Sequence, residues 1–88
     1  MNNYELSKEL QKEFLVLQIP KRKIADVVRN QLKDKNLTYR QAAETIEDFS
    51  YTQLSRVTSG SNYTIDTLLK TLDCLGLEIE IKKKMDRL

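Results

Sequence analysis

Thr52, Gln53, Ser55, Arg56 and Ser59 fall close together and carry side chains that form hydrogen bonds without breaking covalent bonds. A glutamine amide matches the acceptor and donor of an adenine edge. An arginine fork matches the two acceptors of guanine, and each such pair is worth about 1–3 kcal/mol of discrimination. Short hydroxyls reach phosphate oxygens and approach the thymine methyl group closely. This set supports recognition more readily than catalysis. The chain has no histidine and a single cysteine, Cys74, so serine–histidine and cysteine–histidine catalysis is excluded, as are the usual zinc spacings. Two glycines, Gly60 and Gly76, build neither a phosphate-cradling loop nor a dinucleotide fingerprint. Glu47 and Asp48 are adjacent acids in a turn, and their reading is solvation or capping. No enzyme activity, cofactor or metal is expected.

The elements that must hold these residues are small. Eighty-eight residues, 32% charged and 40% apolar, predict one soluble domain. The longest apolar run, Phe14–Leu17, is far short of the roughly 20 residues of a membrane span. It is also short of the apolar core of a secretion signal, and the lone thiol fits a reducing cytosol. Net charge is +2 but unevenly spread. Residues 21–40 carry Lys21, Arg22, Lys23, Arg29, Lys33, Lys35 and Arg40 against Asp26 and Asp34. Residues 41–81 are acidic, with only Arg56 and Lys70 in opposition, and residues 82–88 are basic again. Such blocks fit either an anionic partner or an ordinary solvated surface.

Leu6, Leu10, Phe14 and Leu17 recur at helical spacing, with Asn2 and Glu5 placed to open a helix. The reading is helix to about Leu17, then an extended approach to Pro20, because a residue before proline avoids the helical region. Residues 21–35 predict a second helix with Ile24, Val27, Val28 and Leu32 inward, ending at Asn36. Thr38 with Gln41 and Ser50 with Gln53 fit capping boxes, and Thr64 begins a further helix with Asp66 in its first turn. Leu37 with Ala42, Phe49 with Leu54 and Tyr63 with Leu68 are placed as hydrophobic staples. The predicted helices are Tyr39–Ile46, Tyr51–Ser59 closed by Gly60, and Ile65–Leu75 closed by Gly76. The last has Ile65, Leu68, Leu69, Leu72 and Leu75 inward. After Gly76, Leu77, Ile79 and Ile81 alternate with Glu78, Glu80 and Lys82, which predicts a half-buried strand. Its partner is either Phe14–Ile19 or the same segment of a second chain. Asn36-Leu37-Thr38 and Asn62-Tyr63-Thr64 match a glycosylation pattern, but each threonine is read as a helix cap.

Two short capped helices joined by a tight turn make a helix-turn-helix, whose second helix offers its outward face to the major groove. Leu37–Leu77 resembles the Xre/Cro-repressor family in Leu37-Thr38, Ala42-Ala43, Leu54-Ser55-Arg56, Gly60, Ile65–Lys70 and Leu75-Gly76. The strand to follow resembles antitoxins of the HigA and HipB type. The chain departs from the family at Glu47-Asp48, where a turn glycine is usual and the spacing is one residue shorter, and at Tyr39, where glutamine is common. The resemblance covers none of residues 1–20.

It implies a mainly α, five-helix, lambda-repressor-like domain over residues 21–76. A helical extension at 1–20 precedes it, and a strand with a basic tail at 77–88 pairs across a dimer. It implies a repressor of its own operon in the cytoplasm of a prokaryote or phage. Partners are operator DNA, a second copy and, for an antitoxin, a cognate toxin that the 1–20 segment could bind. Base reading is expected from Thr52, Gln53, Ser55 and Arg56. Phosphate contacts are expected from Thr38, Arg40, Gln41, Tyr51, Ser59, Ser61 and Asn62. Dimerisation is expected from Leu77, Ile79 and Ile81. Antiparallel pairing about Ile81 sets Glu80 against Lys82 and Glu78 against Lys84.

Other roles stay open for several residues. Gln41 and Gln53 serve capping boxes, Tyr51 can pack on the preceding helix, and Arg56 can brace two helices. Lys21, Arg22 and Lys23 crowd a helix N-terminus, where a phosphate or plain solvent would relieve them. The acidic balance of 41–81 keeps a second function open, a protein-interaction module without DNA reading. Cys74 is read as a small core or boundary residue.

Overall fold

A computed structural model describes residues 3–85, with side chains from Ser7 onward, and the chain is mainly helical. Helix α1 (Asn3–Glu13), a π turn (Phe14–Gln18) and helix α2 (Ile19–Asp34) follow one another without an extended break. Thirty-two residues, Asn3–Asp34, are thus helical in succession. The expected extended approach to Pro20 is absent, since Gln18 (φ −73°, ψ −42°) and Ile19 (φ −63°, ψ −50°) are both helical. Proline inside a helix lacks a donor and strikes the carbonyl four residues back. The π turn relieves this by widening the ladder, with the Ile19 N–H reaching back five residues to the Phe14 carbonyl. Pro20 then sits in the first turn of α2, where its missing N–H costs nothing. The proposed Asn2–Glu5 start and the side chains of Tyr4 and Leu6 lie outside the described residues.

Three shorter helices complete the fold. Helix α2 buries Ala25, Val28 and Leu32. Val27, expected inward, is 52% exposed, and Ala25 takes the inward place beside Val28. The helix stops at Asn36, at φ 56°. The Leu37 N–H donates to the Leu32 carbonyl (2.9 Å) and the Asn36 N–H to that of Lys33 (3.0 Å), a Schellman closure. Helix α3 (Tyr39–Ala43) ends three residues before the expected Ile46. Residues 44–48 turn instead, and the Ile46 side chain still packs on the core. Helices α4 (Tyr51–Ser59) and α5 (Ile65–Cys74) lie where expected to within one residue. Gly76, at φ 70°, closes α5 in the same way as Asn36 closes α2, through Leu77 to Leu72 (2.8 Å) and Gly76 to Asp73 (3.1 Å).

The core joins Val28 and Leu32 to Ala42, Ala43, Phe49, Leu54, Val57, Leu68 and Leu75. Both members of each expected staple belong to this cluster or pack against it. Helix α5 departs from the expected stripe, because Ile65 and Leu69 face solvent while Thr67 and Thr71 are buried. Thr71 can be buried because its hydroxyl donates to the Thr67 carbonyl one turn back (2.8 Å). Leu68, Thr71, Leu72 and Leu75 thus form the packed side of α5, which meets α4 and α3.

The expected strand is not formed within the chain: among the described residues, 77–85 have no regular structure and no strand occurs. Phe14–Ile19, one of its two proposed partners, is helical and so unavailable for pairing.

Asp48 holds φ 58° at the turn before α4, a conformation in which a Cβ is unfavourable. Asp48→Gly should raise stability by about 0.5–1 kcal/mol, and Asp48→Val should lower it by more, as read from urea unfolding midpoints.

Candidate nucleic-acid interface

Helix α4 is fixed along its length and at both ends. Leu54 and Val57 have no exposed surface. At the start, the Ser50 hydroxyl accepts the Gln53 N–H (3.4 Å), and the Gln53 side-chain oxygen accepts the Ser50 N–H (2.9 Å). At the end, Gly60 turns left-handed (φ 75°), and its N–H and that of Ser61 both donate to the Arg56 carbonyl. Thr58 is buried and ties three helices together. Its hydroxyl donates to the Ser55 carbonyl (3.0 Å) and accepts from the Tyr39 phenol of α3 (3.1 Å). Its carbonyl accepts from the Arg29 guanidinium of α2. A cation beside the last carbonyls of a helix also suits its dipole. Asp26 holds the same guanidinium in place at 3.0 Å.

With its apolar face buried, α4 turns Tyr51, Thr52, Arg56 and Ser59 into solvent. Ser55 is half-buried at the edge of that face. Gln53 is also half-buried, and its oxygen is engaged in the cap, so only its amide N–H groups are left for a base. Arg40 of α3 lays its guanidinium 4.5 Å from the centre of the Tyr51 ring, so these two phosphate candidates form one unit. Thr38 and Gln41 close the other capping box, through Gln41 N–H to the Thr38 hydroxyl (3.1 Å) and Thr38 N–H to the Gln41 oxygen (2.8 Å). Both remain exposed.

Beyond α4, the Ser59 and Ser61 hydroxyls lie 2.9 Å apart, and Lys21 donates to the Asn62 side-chain oxygen at 2.8 Å. That contact brings the basic start of α2 to the loop that follows α4. Gln18, Lys21, Arg22 and Arg29 line a polar hollow there with Ser59 and Gly60.

The structure therefore gathers Arg40, Tyr51, Thr52, Arg56, Ser59, Ser61 and Asn62 around the exposed side of α4, and adds Lys21. Sequence reasoning placed Lys21 in a basic cluster without locating it beside Asn62. It left the Tyr39 and Arg29 braces unassigned, because neither shares a local spacing with Thr58. Leu77, Ile79 and Ile81 lie apart from this face, in the segment after α5.

No other chemistry gathers here. Among the described residues, no group of acidic, cysteine or histidine side chains is placed to hold a metal. Burial and the neighbouring Asp73 charge raise the Cys74 thiol above its ordinary pKa, and the thiol donates to the Thr71 carbonyl (3.1 Å). It is thus a protonated, weakly nucleophilic group at neutral pH. Burial likewise raises the Tyr63 phenol. Comparison with protein-family models, curated proteins and solved structures finds no match to this chain.

Gln53 has two separable roles. Gln53→Glu keeps an oxygen for the Ser50 N–H and places a negative charge at a helix start. Its unfolding free energy should stay within about 0.5 kcal/mol of wild type. Gln53→Ala should cost about 1 kcal/mol. Equal losses in urea denaturation would mean that the cap contributes nothing.

Proposed function

We propose that this chain is a DNA-binding regulator of the Xre/Cro helix-turn-helix type, with α3 and α4 as the two-helix unit and α4 as the recognition helix. The observation that carries the reading is the way α4 is held. Its apolar side is buried and both ends are capped. Its free side offers Thr52, Arg56 and Ser59, with the Arg40–Tyr51 pair at one end and Lys21, Ser61 and Asn62 at the other. Base edges are read by short polar side chains and one arginine, and flanking cations and hydroxyls position the duplex through its phosphates. Asp48 in the left-handed region supports the reading, because it does the work of the glycine usual in such turns. One domain of this size covers one half-site, so the reading includes a homodimer on a two-fold site and repression of the chain's own operon.

The antitoxin part of the proposal rests on the arm before α2. Leu10, Phe14, Leu15, Val16 and Leu17 are all at least 40% exposed, and four of them are consecutive on a helix, so they point in every direction around it. A helix that is apolar all round is normally covered. A cognate toxin is the partner this proposal assigns to it. Among the described residues, no helix is long and apolar enough to cross a membrane.

The test is a mobility-shift titration on the duplex just upstream of the chain's own gene, at low and moderate salt. Wild type should bind selectively, and Arg56→Ala should weaken binding roughly five- to 150-fold, matching about 1–3 kcal/mol. Lys21→Ala should weaken all sequences alike and make the salt slope shallower by about 0.9. Binding without sequence preference, unaffected by Arg56→Ala, would overturn the DNA-reading proposal. Co-expression with the product of the adjacent gene tests the arm. Leu10→Asp with Leu17→Asp should abolish a complex that Arg56→Ala leaves intact.

A further inference from the structure

The polar hollow beside the end of α4 has a volume of about 420 Å³. Ala25, only 3% exposed, lies at its floor. Gln18, Lys21, Arg22 and Arg29 stand around that alanine, at the three- and four-residue spacings of one helical face. Ser59 and Gly60 form the opposite wall. A single methyl group among long polar side chains is what leaves the space. Lys23 belongs elsewhere. It stands at a shallow apolar groove between α2 and α5, lined by Ile24, Val27, Leu68, Leu72 and Ile79. The basic run at the start of α2 is thus divided, and two of its three cations line the hollow. Side chains make this site and not a helix end, because the Ile19 N–H is already taken by the Phe14 carbonyl.

We propose that the hollow binds the phosphoryl group of a small soluble phosphate monoester. This ligand is distinct from operator DNA, and its site stands whether or not α4 reads bases.

Charge selects the ligand. Arg29 is already engaged, by Asp26 at 3.0 Å and by the Thr58 carbonyl. Lys21 is half-buried, gives one of its three donors to Asn62 at 2.8 Å and keeps two. The Arg22 guanidinium lies 5.1 Å from the centre of the Phe14 ring, a contact that holds the group and leaves its N–H edge open. Among the described residues, no hydrogen bond engages the Arg22 guanidinium or the Gln18 amide. Lys21 and Arg22 therefore leave two positive charges without a carboxylate. A phosphate monoester carries nearly two negative charges at neutral pH, whereas each diester of a DNA backbone carries one. The arginine fork suits two phosphoryl oxygens, and the lysine adds a point charge for the third. The negative end of the α4 dipole would oppose an anion here, but it is answered within the chain. The Gly60 and Ser61 N–H groups cover the Arg56 carbonyl, and Arg29 covers that of Thr58. Ligand sites begin at about 300 Å³, so the hollow also admits a small organic body beside the phosphoryl group.

The experiment is a nuclear magnetic resonance titration of backbone amides in the full chain at constant ionic strength. The probes are inorganic phosphate, adenosine 5′-monophosphate as the monoester, and dimethyl phosphate as the diester. Phosphate and the monoester should shift amides of residues 18–29 and 58–62, and dimethyl phosphate should not. Arg22→Gln should weaken monoester binding at least about tenfold, the loss of charged hydrogen bonds. Lys33→Gln removes a cation from the same helix away from the hollow and should leave binding unchanged. Dimethyl phosphate bound as tightly as the monoester would overturn the proposal, because the hollow would then be a seat for the DNA backbone. Shifts centred on Lys82–Lys84, an Arg22→Gln variant that binds normally, or no binding of either probe would overturn it as well. Monoester binding by a chain that selects no DNA would refute the regulator reading and leave this site standing.

Discussion

Thr58 is the point on which the arrangement of α4 depends. A helix whose only fixation is an apolar stripe can slide or rotate at little cost, because hydrophobic contact is non-directional. Leu54 and Val57 bring α4 into the core, each burial contributing about 1.5–3 kcal/mol. Hydrogen bonds supply the direction that burial lacks. Thr58 receives the Tyr39 phenol from α3 at its hydroxyl and the Arg29 guanidinium from α2 at its carbonyl. Both bonds come from different helices and meet at one residue, so a rotation of α4 would break both. The exposed face of α4 is defined by this lock as much as by its own sequence. The tyrosine after Leu37-Thr38 therefore has a structural reason to be there. It is a brace, placed where a shorter side chain would not reach Thr58.

The turns do the rest of the positioning. Four left-handed residues, Asn36, Asp48, Gly60 and Gly76, lie at or just beyond the ends of α2, the α3–α4 turn, α4 and α5. Each reverses the chain within a residue or two and lets the next apolar side chain drop onto the core. Leu37, Phe49, Tyr63 and Leu77 are those side chains, and all belong to the core or pack on it. The long turn before α4 is compatible with a fixed helix because Phe49 anchors it from below and the Ser50–Gln53 box fixes the start.

What could be read in the sequence follows the range of the interactions involved. Both capping boxes were legible because donor and acceptor lie three residues apart, and the structure contains both reciprocal bonds in each. The left-handed stops at Asn36, Gly60 and Gly76 were legible for the same reason. The Tyr39–Thr58, Arg29–Thr58 and Lys21–Asn62 contacts join residues far apart in the chain, and no local spacing encodes them. Pro20 misled because the bias of a pre-proline residue against the helical region is a preference only, and Ile19 is helical (φ −63°, ψ −50°), while the π turn removes the separate clash of the ring with the carbonyl four residues back. In α5 the apolar period runs through Ile65 and Leu69, yet both face solvent. A threonine whose hydroxyl is hydrogen-bonded within the helix can be buried, and Thr67 and Thr71 take the inward places.

The same mismatches locate the unfinished surfaces. A periodicity that assigns more positions inward than the domain buries leaves apolar side chains in water, and where they are contiguous they mark a surface with a role. Val27 and Ile79 border the α2–α5 groove, and Ile65 and Leu69 are the exposed apolar positions of the helix that forms its second wall. Leu10, Phe14, Leu15, Val16 and Leu17 cluster on the arm, at and just before the π turn. Neither group overlaps the polar face of α4. Three surfaces therefore coexist on one small domain: a hydrogen-bonding face held rigid by Thr58, an apolar groove with a charge-ordered segment beside it, and an apolar arm. The first needs no further copy to be complete, since its bonds close within the chain. The other two are apolar surfaces that the described residues leave exposed.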